Sequence, residues 1–180
     1  MSCIVFVFLT SLDPFHIVGT RLLPHVKQDA KHLDDAHYYE KYYYVPRNVK
    51  TSWEKAKNYC ESNGYQLATF ETLDELNSIL KSRMQYQQKL FTHYTLIGGQ
   101  THQLMSKQNW FWIYSGKQIA YKMIWENDKP NGDEGNGYCL SFGPTMNSLK
   151  FNDLSCNSSH HYTFICMKVK KFMKLKILFL

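Results

Sequence analysis

Two windows of this chain carry a helical period, and most of what lies outside them reads as short strands separated by turns. In "TSWEKAKNYCESNG", Trp53, Ala56 and Cys60 fall on one face. Thr51 and Glu54 form a capping box there, and Asn63-Gly64 stops the helix. In "TLDELNSILKSRM", Thr72 and Glu75 repeat the capping box, and Leu73, Leu76, Ile79 and Leu80 form an apolar stripe. "HYYEKYYYV", ending at Val45, is dense in strand-favouring residues, and "YQLATF" reads as a short strand between the helices. After Met84 come "YTLIGG", "WFWIYSG", "IAYKMIW", "YCLSFG", "LKFND" and "YTFICMK". Two helices followed by many short apolar pieces predict an α+β domain.

The length, 180 residues, fits one domain with short extensions. The net charge of +6 points to an anionic partner until the charge is located. The last thirteen residues, "KVKKFMKLKILFL", hold five lysines and no acid; without them 16 basic residues face 15 acidic ones. The basicity therefore reads as a tail over 168–180, and nothing in the domain resembles the basic-aromatic interleaving of a nucleic-acid binder. The tail alternates lysine with apolar residues and could lie on an anionic membrane, but a frayed basic end is the simpler reading.

Five cysteines are present, none in a C-x-x-C pair, which argues against a zinc ribbon or a dithiol redox site. Cys3 lies in "MSCIVFVFL", an apolar run of signal-peptide length, so residues 1–20 are expected to be a leader cut near Gly19 or Thr20. Residues 21–37 read as a polar lead-in, and 38–167 as the domain. With the leader removed, Cys60, Cys139, Cys156 and Cys166 remain, an even number suited to an oxidised, secreted protein. Three pairings of four cysteines are possible.

Candidate chemistry concentrates in "WENDKPNGDEGNGYC". Asn127, Asp128, Asn131, Asp133 and Glu134 offer oxygens of the kind hard cations prefer, yet Lys129 sits among them. A calcium EF-hand is excluded, because Pro130 interrupts the loop and no glutamate closes a twelve-residue frame. The adjacent His160 and His161 would point apart on a strand and are read as a solvated loop. Asn157-Ser158-Ser159 is an N-glycosylation sequon. No Ser-His-Asp or Cys-His arrangement can be placed, so the chain is not expected to be an enzyme.

From "YYYV" to "FICMK", the ordered pieces "SWEKAKNYC", "LATFETLDELNSI", "LIGG", "FWIYSG", "W....KPN......C", "FNDLSC" and "FIC" resemble the C-type lectin domain. The layout looks like the small secreted single-domain lectins of insects. The resemblance implies a C-type lectin-like fold with two helices, mixed and mostly antiparallel sheets, a long loop region and two disulfides. It would join Cys60 to Cys166 and Cys139 to Cys156, and it places Trp112 and Trp125 in or near the core, so that Trp110, Trp112 and Trp125 are expected to pack and not to stack on sugar rings. It also implies a calcium site in the long loops that doubles as the sugar site. Carried over residue by residue, Asn131, Asn152 and Asp153 match the family's ligands. Lys129 stands where the family has Glu or Gln, and Gly137 where it has a carboxylate. The implied function is secreted, extracellular carbohydrate recognition through Asn131, Asn152 and Asp153, with calcium as the candidate cofactor and glycans or glycoproteins as partners. The alternative is a calcium-independent module that binds a protein or another ligand through the same loops. Oligomeric state is not legible.

Overall fold

The computed structural model describes residues 15–18, 37–46, 48–86, 94–102, 109–132, 138–143 and 150–173, with side chains from residue 41 onward except 80–86 and 171–173. In chain order the elements are β1 (Phe15–Val18), β2 (His37–Pro46), α1 (Trp53–Ser62), β3 (Gln66–Leu67), α2 (Leu73–Tyr86), β4 (Thr95–Thr101), β5 (Phe111–Trp112), β6 (Tyr138–Phe142), β7 (Phe151–Ser155), β8 (Thr163–Phe164) and β9 (Cys166–Met173). A four-stranded sheet runs β1-β2-β9-β3 and a second runs β5-β4-β6-β7, with β8 added parallel to β4. This is the expected α+β fold of two helices and mostly antiparallel strands.

Both helices form where their apolar period places them, and α1 stops at Asn63-Gly64 as expected, but their starts differ from the sequence reading. Ser52, not Thr51, caps α1, and no side-chain hydrogen bond is made there. Thr51 instead exchanges two backbone hydrogen bonds with Tyr162, each 3.0 Å, which ties the helix entry to the far end of the chain. Asn63 caps the other end, and Gly64 takes the left-handed conformation (φ 74°) that glycine tolerates. At α2 the Glu75 N–H donates to Thr72 Oγ1 (3.2 Å), as a capping box requires. The reciprocal bond runs to Glu75 Oε2 from the Glu71 N–H, one residue earlier than expected (2.7 Å). Leu76 and Ile79 are buried, but Leu73 is exposed. As the first helical residue it projects beyond the helix start, where no turn lies beneath it. The side chain of Leu80 lies outside the described residues.

Glu75 explains why that helix end is anchored. Its carboxylate also accepts from the Tyr43 hydroxyl and lies 2.9 Å from the Lys41 ammonium. A buried carboxylate is costly without partners, and these contacts supply them. The tyrosine run is thus a strand, with Tyr43 and Tyr44 buried on its two faces.

Two apolar clusters fill the space around the sheets. One holds Tyr43, Phe70, Trp110, Trp112 and Phe142; the other holds Trp53, Leu96, Phe164 and the buried cysteines. Trp110 and Trp112 are fully buried and Trp125 packs against them, as expected of packing residues. The Trp53 indole N–H donates to Ile97 O (2.7 Å), fastening α1 onto β4. The glycines of "LIGG" let β4 lie close to its other neighbours, β3 and β6: a Cβ on Gly98 would stand 2.9 Å from Leu67 O, and one on Gly99 2.7 Å from Leu140 Cδ2.

"IAYKMIW" is not a strand. Ile119 and Met123 are buried, but among the described residues the segment's pairing with a strand is the isolated bridge of Trp125 to Phe151, with another at Gln118 just before it. The segment 168–180, expected to be a basic tail, begins as a strand. β9 continues through Met173 and pairs with β2 down to His37, so residues 168–173 belong to the sheet. Lys168 and Lys170 project from it over the rings of Tyr65 and Tyr42, at 5.2 and 5.0 Å. β1, inside the segment expected to be a leader, pairs with β2. The rest of the leader, the polar lead-in 21–36 and the tail beyond Met173 lie outside the described residues.

Two disulfides are formed, Cys60–Cys166 and Cys139–Cys156. The first joins α1 to β9; the second ties β6 to the turn that follows β7.

Candidate functional site

The long loop runs along an edge strand. β7 is the outer member of its sheet, so its free side can accept the loop. The backbone pairs accordingly: the Phe151 N–H donates to Ile124 O (2.7 Å), and the Glu126 N–H donates to Phe151 O (2.9 Å). Further along, Lys129-Pro130 is a cis peptide, and the Asn131 and Gly132 N–H groups turn toward Asp153. Because the loop crosses the edge, Asn152 and Asp153, consecutive on a strand, both reach one pocket.

That pocket has a volume of about 170 Å³ and is lined by Tyr94, Lys129, Asn131, Tyr138, Asn152 and Asp153, among others. All three residues expected to contact a ligand, Asn131, Asn152 and Asp153, are therefore brought together. Asp153 is buried, and its carboxylate accepts from the Asn131 N–H (3.2 Å to Oδ1, 3.1 Å to Oδ2) and the Gly132 N–H (2.8 Å to Oδ2). Lys129 points inward. Its ammonium donates to Asn131 Oδ1 (2.8 Å) and lies 3.7 Å from Asp153 Oδ1. Asn152 Oδ1 is buried and has no hydrogen-bond partner among the described residues. A ligand or solvent donor would satisfy it.

Tyr94, Tyr138, Leu154 and Tyr162 complete the wall and were not singled out by sequence. Their signal was positional. Tyr94 and Tyr162 each directly precede one of two strands that pair in parallel, with Thr95 opposite Thr163, so the rings meet edge to face at 6.1 Å. The Tyr94 hydroxyl donates to Glu126 Oε2 (2.8 Å). Partial burial and then this carboxylate push its pKa up to about 12, so it is a neutral donor at physiological pH.

Calcium, the cofactor the resemblance implies, takes 6–8 oxygen ligands. The described residues do not fit it. They supply one carboxylate, already accepting two N–H groups, and two amides, one of them engaged by an ammonium. A divalent ion about 4 Å from that ammonium would be repelled by about 8 kcal/mol at an effective dielectric of 20. The described residues hold no cluster of three or more His, Cys, Asp or Glu able to bind a metal. Asp133, Glu134 and Gly137 lie outside the described residues. His160 and His161 are exposed, and the His160 N–H donates to Ser158 Oγ (3.2 Å). Asn157 is exposed in the turn after Cys156, where its amide can donate to the Glu54 carboxylate at 2.5 and 3.1 Å.

A family model described as the lectin C-type domain matches residues 49–168. Snaclec A13 of Macrovipera lebetinus is 31% identical over 133 residues, covering 72% of this chain and 89% of that protein. Lectin subunit alpha of Sarcophaga peregrina is 24% identical over 123 residues, covering 67% of this chain; the chain spans 42% of that protein. Among solved structures, the mouse scavenger receptor C-type lectin carbohydrate-recognition domain superposes with a TM-score of 0.53 at 25% identity, covering 71% of this chain and 89% of that one.

Proposed function

The chain belongs to the C-type lectin domain family, and from that premise we propose that it is an extracellular recognition domain, not an enzyme, whose long-loop pocket binds glycan hydroxyls without calcium. Family membership by itself does not assign the ligand. The observation that carries the reading is the convergence of Asn131, Asn152, Asp153 and Lys129 on one tyrosine-walled pocket. A hydroxyl is the group best matched to it. It can accept from the Lys129 ammonium and donate to Asn152 Oδ1, which has no partner among the described residues, whereas a carboxylate is acceptor-only and would leave that oxygen unsatisfied. Glycan-array binding with and without a chelator tests this. Binding that is unchanged by the chelator is expected; no signal in either condition would refute the lectin reading.

A second reading, a protein or other non-sugar ligand held by the same loops, is favoured by the exposed Ile124 at the start of the long loop. It would be supported if the array is silent while an Asn152→Leu variant still abolishes binding to a protein ligand.

The extracellular assignment draws on the two disulfides, which persist in oxidising compartments. Among the described residues no helix is long and apolar enough to cross a membrane. In this reading residues 1–20 are a leader, and cleavage near Gly19 or Thr20 removes β1 and leaves β2 at the sheet edge. Asn157 is then a glycan acceptor. Protein secreted from eukaryotic cells should lose mass on treatment with a peptide N-glycosidase, and Asn157→Gln should remove that shift. An untreated mass equal to that of the bare chain would overturn it.

A further inference from the structure

We infer that the Lys129 ammonium is the resident cation of the long-loop site, standing where the family's divalent ion would stand. The inference deepens the proposed reading of the pocket, but its structural half needs no ligand.

A cation at this place has two tasks. It must neutralise Asp153 and hold Asn131 against β7, and it must present a positive centre to a ligand oxygen. Lys129 does the first directly, with its Nζ 2.8 Å from Asn131 Oδ1 and 3.7 Å from Asp153 Oδ1. Asp153 is then satisfied from three directions, by two backbone N–H groups and one ammonium. The second task follows from donor number. An ammonium has three N–H groups, Asn131 Oδ1 takes one, and Lys129 lines the pocket with about a quarter of its side chain exposed. A ligand oxygen can therefore be taken by the ammonium itself. Because that charge is covalently attached, site assembly is independent of calcium concentration, whereas a bound ion would be lost to a chelator.

Lys129 also excludes the metal. An inward ammonium and a calcium ion compete for the same Asn131 and Asp153 oxygens. Lysine can leave, since its stem is flexible, but leaving exposes a buried carboxylate to a site short of ligands. Replacing it by glutamate removes the competitor and adds an oxygen donor, so Lys129→Glu should convert a calcium-indifferent site into a calcium-responsive one.

The test is thermal unfolding of the full disulfide-bonded chain and of Lys129→Met and Lys129→Glu, each in chelator and in millimolar calcium. The wild type is expected to melt at the same temperature in both. Lys129→Met should melt about 3 °C lower in both, the shift expected for loss of a partly exposed ion pair worth about 1 kcal/mol. Lys129→Glu should melt lowest in chelator, where two carboxylates face each other, and recover in calcium. A wild-type melting temperature that rises with calcium would overturn the inference, as would a Lys129→Glu variant indifferent to it. These outcomes are read without a sugar, so a silent glycan array would refute the lectin reading and leave this inference standing.

Discussion

Replacing Cys60 and Cys166 together by alanine is expected to lower the unfolding free energy by about 5 kcal/mol, against about 3 kcal/mol for Cys139 and Cys156. The difference follows from loop size. The first bridge closes 106 residues of sequence separation and the second 17, and the unfolded chain gains entropy with the logarithm of that length when a bridge is cut. Small domains are stable by about 5–15 kcal/mol in total, so loss of the first bridge would leave a marginal fold. The location adds to the effect. Cys60 and Cys166 are buried beside Trp53, Leu67 and Phe164, so alanine also leaves space there. Denaturant unfolding of the two double variants measures both losses. A larger loss from the short bridge than from the long one would contradict the argument.

Asp153→Ala is expected to cost about 3 kcal/mol and to abolish ligand binding. The carboxylate accepts from the Asn131 and Gly132 N–H groups, and its removal leaves both without that acceptor in a confined turn, at about 1–3 kcal/mol for each group left buried. The lost ion pair with Lys129 is the smaller part, about 1 kcal/mol, because that ammonium is partly exposed. Asp153→Asn retains one acceptor oxygen and should lose about half as much stability. Denaturant unfolding together with ligand binding measures the pair of variants. Wild-type binding by Asp153→Ala would remove Asp153 from the site, and equal stability would show that the loop is held by other contacts.

The legible parts of this protein were those governed by neighbours a few residues apart. The apolar spacing of Trp53, Ala56 and Cys60 marks a helix face because a turn repeats every 3.6 residues. The resemblance supplied the partners of the cysteines and brought Asn131, Asn152 and Asp153 into one set; the structure pairs the cysteines in that way and gathers the three residues around one pocket. Errors fell where distant segments decide. Leu73 has helical spacing but lies exposed at the helix start. "IAYKMIW" has strand-like composition but makes only isolated bridges. Residues 168–173 look like a basic tail because their lysines are frequent, yet β2 accepts them as a strand.

By itself the sequence determined the α+β class and the two helices, because periodicity is a local property of the chain, while the residues that could meet a ligand came from the family resemblance. It left Lys129 as a contradiction, a cation inside a loop of oxygens. The tertiary structure decided that the ammonium turns inward, since the crossing of the loop over the β7 edge brings Asp153 within its reach, beside Asn131 of its own loop. The direction of a flexible side chain depends on which charges the fold assembles around it. That assembly involves residues more than twenty positions apart, beyond what any local pattern encodes.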